Sequence, residues 1–196
     1  AALSRGKHAI TANKGPIAWD YRRLRDLAKA QGVCFFHETT VMDGTPVFNL
    51  VEATLPLARV TRVEGILNST TNFVLEEMEK GEPMERILAE GRRRGFVEAD
   101  PSLDLLGWDA AAKTAALLNV LMDAGTTPAA IDRTGIDAVT PEDIRSAAAR
   151  GKVIKLVCSG EIRNGQVLGK VAPAEVDRGS ITTDLMGTVS IVEHEP

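Results

Sequence analysis

Glu98-Ala-Asp100-Pro-Ser-Leu-Asp104-Leu-Leu-Gly107-Trp-Asp109-Ala-Ala-Ala-Lys113 is the stretch on which the reading of this chain turns. It holds four carboxylates, Glu98, Asp100, Asp104 and Asp109, and closes on a lysine. Asp109 and Lys113 stand four residues apart in an alanine-rich run, so on a helix both side chains share one face. Asp100-Pro101 and Gly107 mark the approach as a loop that brings the other acids to that helix's N-terminal end. Several anions around one cation suit a small zwitterion such as an amino acid. The same spacing also serves a plain surface ion pair worth roughly 0.2–0.5 kcal/mol, and acids ahead of a helix also act as caps.

Downstream of this stretch, Leu117, Leu118 and Leu121 supply the packing face of a helix over residues 108–124. Upstream, Pro83 and Gly95 bracket a helix over 83–94. Before that, Asn68-Ser-Thr-Thr-Asn72 opens a helix through 79, with Ser69 or Thr70 as its N-cap. A strand over 59–67, alternating apolar and polar, leads into it. Residues 38–46 read as a turn-rich loop and 47–55 as a short apolar helix. At the front, a strand over 8–11, a helix opened by Pro16 and stopped by Gly32, and a buried strand over 33–37 make one strand–helix–strand unit. Thr140-Pro-Glu-Asp143 starts another helix. Residues 153–162 and 166–172 pair as a hairpin about Asn164-Gly165, and 188–192 read as a last strand.

The composition, 44% apolar and 26% charged, is that of a globular protein with room for one sizeable core. A net charge of −4 gives no electrostatic case for nucleic acid or an anionic membrane surface. No apolar run approaches a membrane span. Cys34 and Cys158 lack any C-x-x-C partner and read as reduced core thiols of a cytoplasmic protein. His8, His37 and His194 share no ligand-like spacing, which argues against zinc.

Four pieces carry a resemblance when read together: Thr-Ala-Asn13-Lys14; Glu38-Thr-Thr-Val41; Gly65-Ile-Leu-Asn68-Ser-Thr-Thr-Asn72; and Gly95-Phe-Val-Glu98-Ala-Asp-Pro with Asp104, Gly107-Trp-Asp109 and Lys113 following. In order and spacing they resemble homoserine dehydrogenase, the NAD(P)-dependent enzyme that interconverts aspartate-4-semialdehyde and homoserine in threonine, methionine and isoleucine biosynthesis. The resemblance implies an α/β fold in two parts. Residues 1–37 would be the trailing part of a Rossmann-type nucleotide-binding domain. Residues 38–196 would be an α+β catalytic and dimerisation domain, its mixed sheet covered by the helices over 69–80, 83–94 and 108–124. It further implies that Glu98, Asp104 and Asp109 hold the substrate's amino end. Lys14 and Lys113 would then face the reacting carbon, and Asn13 and Lys14 the dinucleotide. A monovalent cation such as sodium would lie on Glu38, Val41, Asp43 and Thr45, held mainly by backbone carbonyls. Of the lysines, Lys113, with Asp109 one turn earlier, is expected to hold and orient the oxygen, and Lys14 to share the proton transfer. The implied partners are the small substrate and a second copy in a homodimer, with the 153–172 hairpin in the shared sheet.

The chain also departs from that family. Phe96 stands where tyrosine is frequent and Ser69 where glycine is usual. The Gly-x-Gly-x-x-Gly turn that binds a pyrophosphate occurs nowhere in the 196 residues. The chain therefore reads as a piece of a longer protein, inactive by itself, and the alternative is a binding and dimerisation module. A phosphorylating aldehyde dehydrogenase, which presents a thiolate from a Cys-Thr-Thr-Asn turn, fits poorly. Serine occupies that place here, as Ser69, and an unactivated hydroxyl does not replace the thiolate.

Overall fold

The computed structural model describes residues 1–180 and 189–195. The front of the chain is β1 (Ala9–Ile10), α1 (Lys14–Ala30) and β2 (Phe35–Phe36), with the two short strands parallel. Helix α1 begins two residues earlier than its proline suggests, because the Asn13 side chain caps it by accepting from the Gly15 N–H at 2.8 Å. The strand expected to be buried over 33–37 is only partly so: Phe36 is 55% exposed, and Cys34 is exposed as well. Cys34 is therefore no core thiol here. Cys34 lies beside the short two-stranded pair and is exposed, whereas Cys158 lies inside the larger sheet and is buried.

The middle of the chain supplies helices between strands. Helices α2 (Thr39–Met42) and α3 (Val47–Thr54) lead to β3 (Arg59–Ile66), α4 (Ser69–Glu79) and α5 (Met84–Arg94). The cap of α4 is Asn68, not Ser69 or Thr70, and its side-chain oxygen accepts from the Thr71 N–H at 2.8 Å. A short α6 (Ser102–Leu105) interrupts the acidic stretch before α7 (Trp108–Leu121). Gly107 makes the join, at φ 77, a value that side-chain-bearing residues rarely adopt. Helix α8 (Pro141–Ala149) has a full capping box between Thr140 and Asp143.

The main sheet has the order β4-β6-β5-β3-β7, built from β4 (Asp132–Arg133), β5 (Lys152–Arg163), β6 (Gln166–Asp177) and β7 (Val189–Glu195) besides β3. It is mixed, as expected: β4 runs parallel to β6, and the other neighbours are antiparallel. Asn164 and Gly165 turn the hairpin with φ 52 and 77, the positive pair that a tight two-residue turn requires. Of the last expected strand, Thr188 lies outside the described residues, and the remainder belongs to β7. Leu118 of α7 seats over Gly160 and Gly169, so this helix covers one sheet face, with Leu67, Val74, Leu75, Leu156 and Val171 buried around it.

The segment before α8 braces the acidic stretch. Ile136 N–H donates to the Leu105 carbonyl at 2.8 Å. Arg133 stacks over Trp108 at 3.9 Å and donates to the Leu106 carbonyl. Gly135 passes so close that an added Cβ would strike the Leu105 carbonyl oxygen and lie 2.6 Å from Leu106 Cα. Gly135→Ala should therefore destabilise the protein by about 1–3 kcal/mol, the cost of overpacking against backbone. Thermal unfolding of the variant checks this; an unchanged Tm would mean that the segment is free to move aside.

Candidate active site

Three side chains, from α1, α7 and the cap of α4, meet at one carboxylate. Asp109, in the first turn of α7, receives Lys14 Nζ on Oδ1 at 2.8 Å and Lys113 Nζ on Oδ2 at 3.3 Å. Lys14 comes from the first position of α1, just beyond the end of β1, and Lys113 from the next turn of α7. Lys113 also donates to the Leu67 carbonyl at 2.8 Å, where β3 passes into α4. At that same junction Asn68 turns its amide outward, and Nδ2 donates to Asp104 Oδ1 at 2.6 Å and to Asp109 Oδ2 at 2.9 Å. Asp104 arrives on α6. One amide thus ties two carboxylates together, and one of those carboxylates ties two ammonium groups.

The electrostatics follow from this geometry. Burial alone would push the Asp109 carboxyl up, but the Lys113 charge outweighs it together with Lys14 and the Asn68 amide, so the net shift is downward. A depressed carboxylate contributes stability that is fully present above its unfolded value, near 3.8, and lost as pH falls through the lower folded value. Asp109→Asn should accordingly flatten the fall of Tm on acidification below about pH 4 relative to the parent protein. Melting curves from pH 2 to 6 test it, and identical acid limbs would contradict it. Beneath the cluster, burial pushes the Cys158 thiol up to about 11, against the opposing effect of Thr114. It is an inert wall, not a nucleophile.

The structure brings Lys14, Lys113, Asp104 and Asp109 together, with Asp109, expected on the substrate's amino end, acting as counter-ion to both lysines. It does not bring Glu98 into this hydrogen-bonded cluster. Glu98 is exposed, and its recorded bond is through the backbone, its carbonyl accepting from Arg92 Nε at 3.4 Å. Asp100 has the plain role, its Oδ1 accepting from Ser102 N–H at the entry to α6. Asn13 is exposed, with its oxygen on the α1 cap. The residue that sequence reasoning misses is Asn68, which enters only as part of the Asn68-Ser-Thr-Thr-Asn72 piece. Its available signal was local: an Asn three residues before Thr71 at a strand-to-helix junction is a cap, and a cap amide has an N–H₂ to spare.

The residues of the expected cation site lie within α2 and at its two ends. Both Glu38 oxygens accept backbone N–H groups at the start of α3, from Phe48 at 2.8 Å and Asn49 at 2.9 Å. Val41 is buried within α2, Asp43 turns the chain at φ 47, and the Thr45 carbonyl accepts from Val47 N–H at 2.9 Å. Among the described residues, no three His, Cys, Asp or Glu side chains cluster as metal ligands, and no helix is long and apolar enough to cross a membrane.

With this geometry in view, the chain can be set beside known proteins. The family model described as homoserine dehydrogenase matches residues 46–195. Homoserine dehydrogenase of Methanocaldococcus jannaschii is 37% identical over 190 residues, covering 96% of this chain and 55% of that protein. An NAD(+)-dependent homoserine dehydrogenase of Pseudomonas canavaninivorans is 38% identical, with 97% and 58% covered. Among solved structures, a homoserine dehydrogenase from Thiobacillus denitrificans superposes with a TM-score of 0.92 at 30% identity, covering 98% of this chain and 46% of that one. The enzyme from S. aureus at pH 6.5 gives 0.85 at 32%, with 99% and 46% covered. The chain spans a little over half the length of the two curated relatives.

Proposed function

The chain belongs to the homoserine dehydrogenase family, and from that premise we propose that the protein carrying it interconverts L-aspartate-4-semialdehyde and L-homoserine with NAD(P), a step of amino-acid biosynthesis. The observation that carries this reading is the Asp109 carboxylate shared by two lysines from different helices. Bound NAD(P) supplies or accepts the hydride. The chain's own groups do the rest. As hydride reaches the aldehyde carbon, negative charge grows on the carbonyl oxygen, and ammonium groups held beside it stabilise that charge. Asp104, half-buried with one oxygen engaged by Asn68, has its other oxygen for the substrate ammonium. Glu98, exposed at the same approach, would join that hold once substrate is present.

Residues 1–37 fit the trailing part of a nucleotide domain. Asn13 and Lys14 follow the end of a parallel strand, where α/β sheets present ligands, and the Asn13 amide nitrogen has no protein partner among the described residues. The all-oxygen set at Glu38, Val41, Asp43 and Thr45 suits a hard monovalent cation, with the Phe48 and Asn49 amides fixing the Glu38 carboxylate. A homodimer through the sheet would cover Leu168 of β6, which is 47% exposed. A cytoplasmic setting is supported by two unpaired cysteines. The test is to assay the full-length protein for homoserine oxidation with NAD and with NADP. Turnover with either supports the reading; homoserine binding without turnover with either dinucleotide would favour the binding and dimerisation module without activity.

A further inference from the structure

Lys155 of β5 is 4% exposed, and its ammonium lies against α4, not in water. Nζ donates to Asn72 Oδ1 at 2.7 Å and to Glu76 Oε1 at 2.8 Å, and Asn72 Nδ2 closes the triangle on the same Glu76 oxygen at 2.8 Å. Burying an ammonium is costly even when it is paired, and well-packed apolar groups often replace such a pair with no loss of stability. Bulk stability is thus a poor account of this lysine. What a charged, hydrogen-bonded contact adds over an apolar one is direction.

The direction matters because of what else α4 carries. Asn68, Asn72 and Glu76 follow at four-residue steps along one side of the helix and its cap. The first bridges Asp104 and Asp109, and the other two are gripped by Lys155. Rotation or sliding of α4 on the sheet would carry Asn68 Nδ2 off two carboxylates that it spans at 2.6 and 2.9 Å. We propose that Lys155 is a positioning residue: by pinning Asn72 and Glu76 it sets the rotation of α4 and so holds Asn68 between the two carboxylates. The inference rests on the reading of that cluster as the homoserine site. Lys155 itself touches neither substrate nor dinucleotide.

The experiment compares Lys155→Met, Lys155→Arg and Lys155→Met combined with Asn68→Ala in the full-length protein, with steady-state kinetics on homoserine. The methionine variant should raise the homoserine KM about tenfold and leave the dinucleotide KM unchanged. The arginine variant should restore most of the loss. In the Asn68→Ala background the methionine change should add nothing, because its route is already cut. A purely structural loss would lower the active fraction, and so kcat, without moving either KM. A folded Lys155→Met protein with an unchanged homoserine KM overturns the inference, as does full additivity with Asn68→Ala. Should Lys155→Met not fold, Glu76→Gln replaces it: a rise of about threefold in the homoserine KM is expected, and no rise overturns the proposal. A wild-type protein that does not turn over homoserine overturns the reading of the site instead, so the two failures are distinct.

Discussion

Replacing Lys113 by alanine in the full-length protein should lower kcat for semialdehyde reduction by at least about 10²-fold, the lower range for a positioned acid–base group. The fold should survive, since alanine is the strongest helix former and the site lies in an alanine-rich turn of α7. What is lost is a charge fixed on two sides, by the Leu67 carbonyl at 2.8 Å and Asp109 at 3.3 Å. One of its three N–H donors is committed to the Leu67 carbonyl and its charge is paired with Asp109, which suits a group that orients and stabilises an oxygen. Among the described residues Lys14 pairs with Asp109, and its side chain is 36% exposed against 21% for Lys113. It is freer to exchange its proton with water. Lys14→Ala should therefore lose a similar factor, with the larger change in the pH dependence of kcat. Rate–pH profiles of both variants check this. A Lys14 variant with the wild-type rate and profile would leave Lys113 to act alone.

Asn68→Ala should have the second largest effect, in two separable parts. As the N-cap of α4, Asn68 satisfies the Thr71 N–H, and losing that cap costs roughly 0.5–2 kcal/mol of stability. As the bridge between Asp104 and Asp109, it keeps two carboxylates at fixed separation with a donor between them. Without it they repel, and Asp104, the anion proposed for the substrate ammonium, is no longer aimed. kcat/KM for homoserine should fall about 10–100-fold, the scale of 1.4–2.7 kcal/mol. Asn68→Ser separates the parts, because serine caps as well as asparagine but has no amide N–H₂. The serine variant should recover most of the Tm and little of the kcat/KM. Wild-type kinetics for it would reduce Asn68 to a cap.

Local chemistry made much of this molecule legible in its sequence. Gly95 ends α5 in the left-handed region, at φ 82, and Thr140 with Asp143 caps α8, as their residue types announce. The Asn164-Gly165 turn fixes the pairing of β5 with β6 from two residues. The Asp109–Lys113 pair could be read from spacing because both ends sit on one helix. The rest was hidden because it is long-range. The bond from Asn68 to Asp104 spans 36 residues and that from Lys113 to Leu67 spans 46, and no periodicity reports which carboxylate a cap amide will meet. Lys155 is hidden for the same reason, since a lysine in an apolar strand does not announce the glutamate 79 residues away that receives it. Cys34 and Glu98 came out more exposed than their neighbours in sequence suggest, because burial is set by which layer covers an element and not by the element itself.

The central claim, that the Lys14–Asp109–Lys113 cluster with Asp104 is where homoserine reacts, is tested most directly by a crystal structure of the full-length protein with L-homoserine and dinucleotide. The hydroxyl oxygen is predicted within hydrogen-bond reach of Lys113 Nζ and Lys14 Nζ, with the ammonium group on Asp104. Homoserine seated elsewhere, with the lysines still closed on Asp109 and no contact to either, would contradict it.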